Sequence, residues 1–315
     1  MKNPETPVSM TYSISAVERS TGLGKDTLRV WERRYRFPLP RRDANGERVY
    51  SPEQVNKLRL LKRLIDHGHR PGKIIQFEID ELQKLNDGLL GVEGTSGISA
   101  DRNDLQDYLN LCRAHQVEAL RHALSQALMR MGLETFVVEV IAPLNRMVGE
   151  YWVRGLFAIH QEHLYTEVVQ NLLRNAISAI VQPQEHSRLR PRVMLTTFPQ
   201  EPHTLGLLMA EAFFALEGAR CISLGVQTPI IDIVRAAEMQ QADIVALSFS
   251  SLMNSRQALD GLAELGSALT SGTEIWAGGS NPALARPAAE SESVRIITLS
   301  ELPTALAVWR GRHSP

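Results

Sequence analysis

The spacing of apolar positions changes character twice along the chain. Between residues 11 and 80 apolar side chains fall three and four apart in short blocks, so TYSISAVERSTGLGKDTLRVWERRY predicts two short helices joined by a tight turn at Gly22 and Gly24. Ser15 is placed to cap the first helix, with Glu18 three residues on completing a capping box. Asp26 and Thr27 open the second, and Leu28, Val30 and Trp31 supply its buried positions. In RFPLPRRDANGERVY, Asn45-Gly46 predicts a hairpin, Asn45 tolerating positive φ. The first ten residues read as a tail, and residues 81–100, ending in DGLLGVEGTSGISA, as a linker. Residues 101–185 keep a helical period throughout, enough for a four-helix bundle with its next-to-last turn near Gly155. Beyond Gln182 the short apolar runs RVMLTTF, RCISLGV, DIVALSFS and EIWAGG alternate with helical stretches, which predicts a doubly wound parallel sheet over residues 190–315.

Composition adds compartment and charge. A chain of 315 residues that is 43% hydrophobic buries a sizeable core and divides into two or three domains. No apolar run is long enough to span a bilayer and the N-terminus has no apolar leader, so the expected location is cytoplasmic, with no membrane partner. Cys112 and Cys221 stand far apart, which argues against a disulfide framework. The net charge of −1 hides a partition: residues 1–80 hold 16 Lys and Arg against 10 Asp and Glu, whereas the remainder holds 18 against 25. A basic head on an acidic body is the layout of a protein that meets nucleic acid only at its head.

The head carries the matching chemistry. Arg29, Arg33 and Arg34 project from the second helix, and Arg41, Arg42 and Arg48 flank the hairpin, with Tyr50 at its end. A basic second helix suits the major groove, and the hairpin makes a basic wing beside it. Trp31 reads as a core aromatic, and Tyr35 as a residue placed to touch a phosphate. The run from Thr11 through WERRY and NGERVY to GHRPGKI resembles the winged helix-turn-helix of the MerR family over nearly its whole length. That resemblance matches Arg29 to the family's recognition-helix arginine, and Arg48 and Tyr50 to its wing arginine and aromatic. It implies a double-stranded operator as partner, contacted by Arg29, Arg33, Arg34, Arg41, Arg42, Arg48 and Tyr50.

In the C-terminal half the informative stretch is LTTFPQEPHTLGLLMAEAFF. A strand runs into a loop holding Glu201, His203 and Gly206, at the strand end where open α/β sheets bind ligands. Glu201 is placed to orient the imidazole, and Gly206 to let a bulky ligand approach the backbone. Glu201-x-His203-x-x-Gly206 resembles the signature of base-off/His-on cobalamin-binding domains. The resemblance implies that His203 is the lower axial ligand of cobalt, replacing the cofactor's own base. The family's later Ser-x-Leu is here Ser248-Phe249-Ser250, without the leucine, and its Gly-Gly is Gly278-Gly279.

The bundle carries Trp152 with Glu162-His163 ten and eleven residues later, a spacing that resembles the CarH/LitR group of light-sensing repressors. That resemblance implies Trp152 over the upper ligand, where its flat apolar face would pack on a 5′-deoxyadenosyl group, with Glu162 placed to accept hydrogen bonds from it. The whole chain therefore resembles a winged helix-turn-helix, a four-helix bundle capping the cofactor and a doubly wound cobalamin-binding domain, in that order. The resemblance implies a regulator, expected to be a repressor, that binds adenosylcobalamin and responds to light by cobalt–carbon cleavage and changed oligomerisation, as a dimer or tetramer. Val153 stands where light-sensing members carry a cobalt-capturing histidine; His160 and His163 are its neighbours in sequence, without an evident third ligand for a separate metal site. A light-independent sensor of cobalamin or another tetrapyrrole, or a cofactor-free regulator using the fold for protein contacts, is the alternative. An enzyme is not expected, because the chain lacks room for a substrate barrel of roughly 250 residues.

Overall fold

The computed structural model describes residues 11–66, 69–82, 85, 102–153, 156–180, 190–270, 272–286, 289 and 293–313. The expected N-terminal tail, most of the expected linker at 81–100, and the turn near Gly155 lie outside them. The chain divides into two compact units, a head within the first 96 residues and a body formed by most of the remainder. Among the described residues no helix is long and apolar enough to cross a membrane.

In the head, β1 (Tyr12–Ser13), α1 (Ile14–Thr21), α2 (Lys25–Tyr35), β2 (Arg41–Arg42), β3 (Arg48–Tyr50), α3 (Pro52–Asp66) and α4 (Pro71–Ile74) follow in order. The three strands form one antiparallel sheet, β1-β3-β2. Helix α1 is capped by Ser13, whose Oγ accepts Ala16 N–H at 3.2 Å, and not by Ser15. The reason is non-local: Tyr12 and Ser13 pair with Tyr50 and Val49, which fixes where the chain leaves the sheet. Glu18, expected in a capping box, instead accepts Lys25 N–H at 3.2 Å and so braces the turn into α2. That turn is made by Gly22, at φ +70°. Val30 is 41% exposed, whereas Leu28 and Trp31 are buried as expected.

The wing forms where Asn45-Gly46 predicted it, with one difference. Gly46 takes positive φ and Asn45 does not. The Asp43 carboxylate closes the loop instead, accepting Asn45 and Glu47 N–H at 2.9 Å each. Tyr50 is fully buried beneath the wing, so it cannot present its ring to DNA as the sequence implied. Its hydroxyl is buried without a partner among the described residues, and burial pushes the phenol above its ordinary pKa.

In the body, α5 (Arg102–Arg113), α6 (Val117–Met131), a continuous helix Leu133–Val153, and α9 (Ile159–Ile180) make the four-helix bundle. The third helix is α7 (Leu133–Phe136), a π turn at Val137–Ile141, and α8 (Ala142–Val153). Cys112 Sγ donates to Gln161 O at 3.1 Å and Gln161 Nε2 to Arg113 O at 3.1 Å, which fastens the end of α5 to the start of α9. The chain then alternates β4 (Arg192–Thr196), α10 (Leu205–Leu216), β5 (Arg220–Gly225), α11 (Ile230–Gln240), β6 (Ile244–Phe249), α12 (Ser255–Ala268), β7 (Glu274–Gly279), β8 (Val294–Ile296) and α13 (Leu302–His313). All five strands are parallel, in the order β5-β4-β6-β7-β8.

Strand alternation sends side chains to two cores. Val193, Leu195 and Trp276 join Phe213 of α10 and the bundle residues Leu109, Leu124, Phe136, Leu144, Tyr165 and Val169 in one buried cluster. Met194, Val245, Phe249 and Ile275 join Ile233, Leu262 and Leu265 on the opposite face. The bundle thus shares its core with one face of the sheet. Because β5 and β6 lie on either side of β4, the connections diverge at the C-terminal end of β4, which opens a crevice there.

Two stability predictions follow from the packing. Gly279 has φ +123°, and a Cβ there would lie 2.1 Å from Phe249 O; Gly279→Ala should cost ~3 kcal/mol or more, measured by urea unfolding of the full chain. Tyr50→Phe removes an unpaired buried hydroxyl, so it should leave stability unchanged or raise it by up to about 1 kcal/mol in the same assay.

Candidate functional site

The crevice at the end of β4 is floored by a buried carboxylate. Glu201 is 1% exposed, and both its oxygens are engaged. Oε1 accepts His203 N–H at 3.2 Å and lies 2.6 Å from His203 Nδ1; Oε2 accepts Ser250 N–H at 2.7 Å. Burial alone pushes the Glu201 carboxyl up, but the His203 imidazole and the Ser250 bonds outweigh it, and the net shift is downward. Glu201 is therefore a carboxylate, an acceptor for an Nδ1–H, and Nε2 is the ring nitrogen that faces away from this bond. The His203 side chain is 44% exposed, and Nε2 has no hydrogen-bond partner among the described residues.

The loop bearing this pair is held from below by threonines that the sequence reading passed over. Thr197 Oγ1 donates to Glu201 O at 2.7 Å and accepts Gln227 N–H at 2.8 Å. Thr196 Oγ1 lies 2.7 Å from Thr228 Oγ1. Asn281, 3% exposed, donates to Ser250 O at 2.9 Å and to Met253 O at 2.8 Å, which ties the loop after β6 to the segment after β7. The only sequence signal for these was position: polar residues immediately after apolar strand runs.

The glycines act differently from the expectation. At Gly206 a Cβ would stand 2.3 Å from Ser248 Oγ, so this glycine lets α10 press onto the end of β6 and does not simply clear room for a ligand. Gly278 pairs in register with Ser248, and a Cβ on it would meet Ile297 O at 2.7 Å. Ser248, Ser250, Gly278 and Gly279 thus lie at the C-terminal ends of β6 and β7, with Gly206 against the Ser248 side chain and Ser250 N–H bonded to Glu201.

The bundle candidates lie apart from that loop in hydrogen bonding. Trp152 ends α8 half-buried against the bundle core. Glu162, in the first turn of α9, accepts the Thr166 hydroxyl at 2.9 Å and has His163 Nε2 at 3.6 Å. His163 is exposed, and none of the three hydrogen bonds the His203 loop among the described residues. His160 does not pair with His163; it stacks on His115, with Nε2 atoms 3.2 Å apart. Among the described residues no three side chains converge as metal ligands. For Val153 the structure gives the backbone position at the end of α8.

On the head, α2 exposes Arg29, Arg33 and Arg34, and the wing exposes Arg41 and Arg42. Arg29 pairs with Asp26 at 3.0 Å, and Arg42 Nη1 donates to Gly46 O at 2.6 Å. Arg48 is less free: its Nε donates to Glu32 at 2.9 Å, and that partner raises its pKa. Arg48 therefore locks the wing to α2, and Tyr50 anchors it from inside.

Comparison with known proteins agrees with this layout. Residues 12–78 match the model of the MerR HTH family regulatory protein, residues 104–176 one B12 binding domain model, and residues 191–303 another. Over 66% of its length the chain superposes on all of a monomethylamine corrinoid protein from Methanosarcina barkeri, with a TM-score of 0.52 at 14% identity, a likeness of fold. It is 28% identical to the HTH-type transcriptional repressor CarA of Myxococcus xanthus over 76% of this chain and 77% of that one. It is 31% identical to the HTH-type transcriptional repressor CarH of the same organism, over 85% of this chain and 89% of that one. The chain therefore belongs to the CarH family of MerR-type helix-turn-helix proteins and is a cobalamin-binding transcriptional regulator, not an enzyme.

Proposed function

We propose that the protein is a light-responsive repressor that holds adenosylcobalamin through His203 and grips a double-stranded operator through α2 and the wing. The observation that carries this reading is the Glu201–His203 pair. A buried carboxylate engages Nδ1, and Nε2, with no hydrogen-bond partner among the described residues, is the nitrogen left to meet a metal at the sheet's switch point. Such a nitrogen fits cobalt of a cobalamin whose own base has been displaced.

When bound, adenosylcobalamin supplies a cobalt–carbon bond that light breaks. The chain's residues have the following parts. His203 would hold the cobalt, and Glu201 holds its ring in place. Gly206, Ser248, Ser250, Gly278 and Gly279 would border the displaced nucleotide tail. Trp152 would shield the upper group from water, with Glu162 and His163 supplying polar contacts beside it. A bundle whose Trp152 packs on the bound cofactor would prefer a different position from one without that contact; a ligand changes an equilibrium only by such a difference in affinity. Assembly as a dimer or tetramer would carry that difference to the head, since paired heads bind paired half-sites.

A second reading, a light-independent cobalamin sensor, is favoured by Val153 where a histidine stands in light-sensing members and by Ser250 where a leucine is the rule. One experiment separates the two. Protein loaded with adenosylcobalamin should show a His-on visible spectrum that His203→Ala abolishes. Green light should then change both its size-exclusion volume and its gel shift on its own promoter. An unchanged gel shift after complete photolysis would replace the light response with the second reading.

The head makes a separate prediction. Arg33 is exposed and has no ion pair among the described residues. Arg33→Ala should weaken promoter binding about equally across sequence variants and reduce the slope of log affinity against log salt by about 1. Arg48→Ala, which frees the wing from Glu32, should instead lower the thermal stability of the head as well as affinity.

A further inference from the structure

The histidine loop is fastened to the bundle by a polar contact. Gln170 Nε2, on α9, donates to Thr204 Oγ1, the side chain immediately after His203 and at the entrance to α10. Both residues are half-buried. Thr204 makes no capping bond to α10 with this hydroxyl, so its side chain is committed to the bundle. A second tie lies further along the same pair of layers: Tyr165 donates to Asn145 Oδ1, and Asn145 Nδ2 lies 3.7 Å from Met209 Sδ on α10.

Gln170 also stands in line with the candidate upper-face residue. Glu162, Thr166 and Gln170 are spaced by four on α9, so they share one face over ~12 Å of helix. Thr166 already bonds Glu162 at 2.9 Å. One rigid element thus carries a residue assigned to the upper face of the cofactor and the residue that grips the lower loop.

We infer that Gln170 is a positioning residue for His203: through Thr204 it sets the imidazole relative to the bundle, so a displacement of α9 is felt at the lower ligand. The inference rests on His203 being that ligand. Where a backbone loop is braced from below by Thr197 and Glu201, the tie from above decides its remaining freedom, and losing it leaves the ring in place but less well aimed.

The test uses the full chain and has two readouts. In cofactor-free protein, Gln170→Ala should speed hydrogen exchange of the amides from 201 to 208 by roughly 3- to 10-fold, the size a net hydrogen bond carries. Gln170→Glu, whose carboxylate accepts the Thr204 hydroxyl, should restore protection. In the loaded protein, Gln170→Ala should raise the Kd for adenosylcobalamin by a similar factor in the wild-type background and have no effect beside His203→Ala. Equal losses in both backgrounds, or unchanged exchange and unchanged Kd, would overturn the inference. Thermal unfolding of each variant identifies general destabilisation, which Gln170→Glu, if it folds like wild type, controls for. If His203→Ala alone alters neither spectrum nor Kd, it is the cobalt-ligand reading that fails, and Gln170 retains only its effect on exchange.

Discussion

A carboxylate withdrawn from water must have its oxygens satisfied, and the C-terminal rim of this sheet is organised around that requirement. Glu201 accepts from the His203 backbone, the His203 ring and the Ser250 backbone. Those bonds join the loop after β4 to the loop after β6, and Asn281 extends the connection to the segment after β7. Removing the His203 ring would leave Oε1 with only a backbone N–H, and under-satisfying a buried charge costs more than the bond itself contributes. The electrostatic requirement therefore fixes geometry: the imidazole is presented in one orientation and one place.

The same economy of parts governs the larger architecture. Bundle and sheet do not have separate cores on the side where they meet; Leu124, Phe136 and Tyr165 lie in one buried cluster with Val193, Leu195 and Trp276. The crevice beside His203 is thus walled by elements that cannot slide without disturbing apolar packing, and shifts between packed layers go in discrete steps. The head is organised on other lines, by a short sheet, a buried Tyr50 and the Arg48–Glu32 pair that sets the wing against α2.

Much of this was legible in the sequence because it rests on local rules. Alternating apolar runs and helical stretches announced the parallel sheet, Asn45-Gly46 announced the wing, and Glu201-x-His203-x-x-Gly206 announced the pair at the strand end. What was not legible depends on partners distant in the chain. Ser13 and Ser15 are equally good caps until the pairing of β1 with β3 chooses between them. Val30 has the composition of a core residue, yet it is exposed because α2 turns that side outward. Tyr50 has the amphipathic character of an interface residue, and only the packing of the wing puts it inside. The role of Gly206 changed for the same reason, since the atom that would crowd it belongs to Ser248 on another strand. Gln170 carries no motif at all.

The π turn at Val137–Ile141 has a consequence for how this helix reads. A wider turn absorbs one additional residue, and each residue of an α-helix advances by about 100°. Asn145, Val148 and Trp152 therefore face a different azimuth from the one the N-terminal half of the helix would dictate. The helix is phased in two segments, and the face that Trp152 occupies is chosen as much by that dislocation as by its identity. Losing a single residue from 137–141 would rotate a tryptophan away without touching it, so in this protein the gap pattern of the helix carries information that the side chains do not.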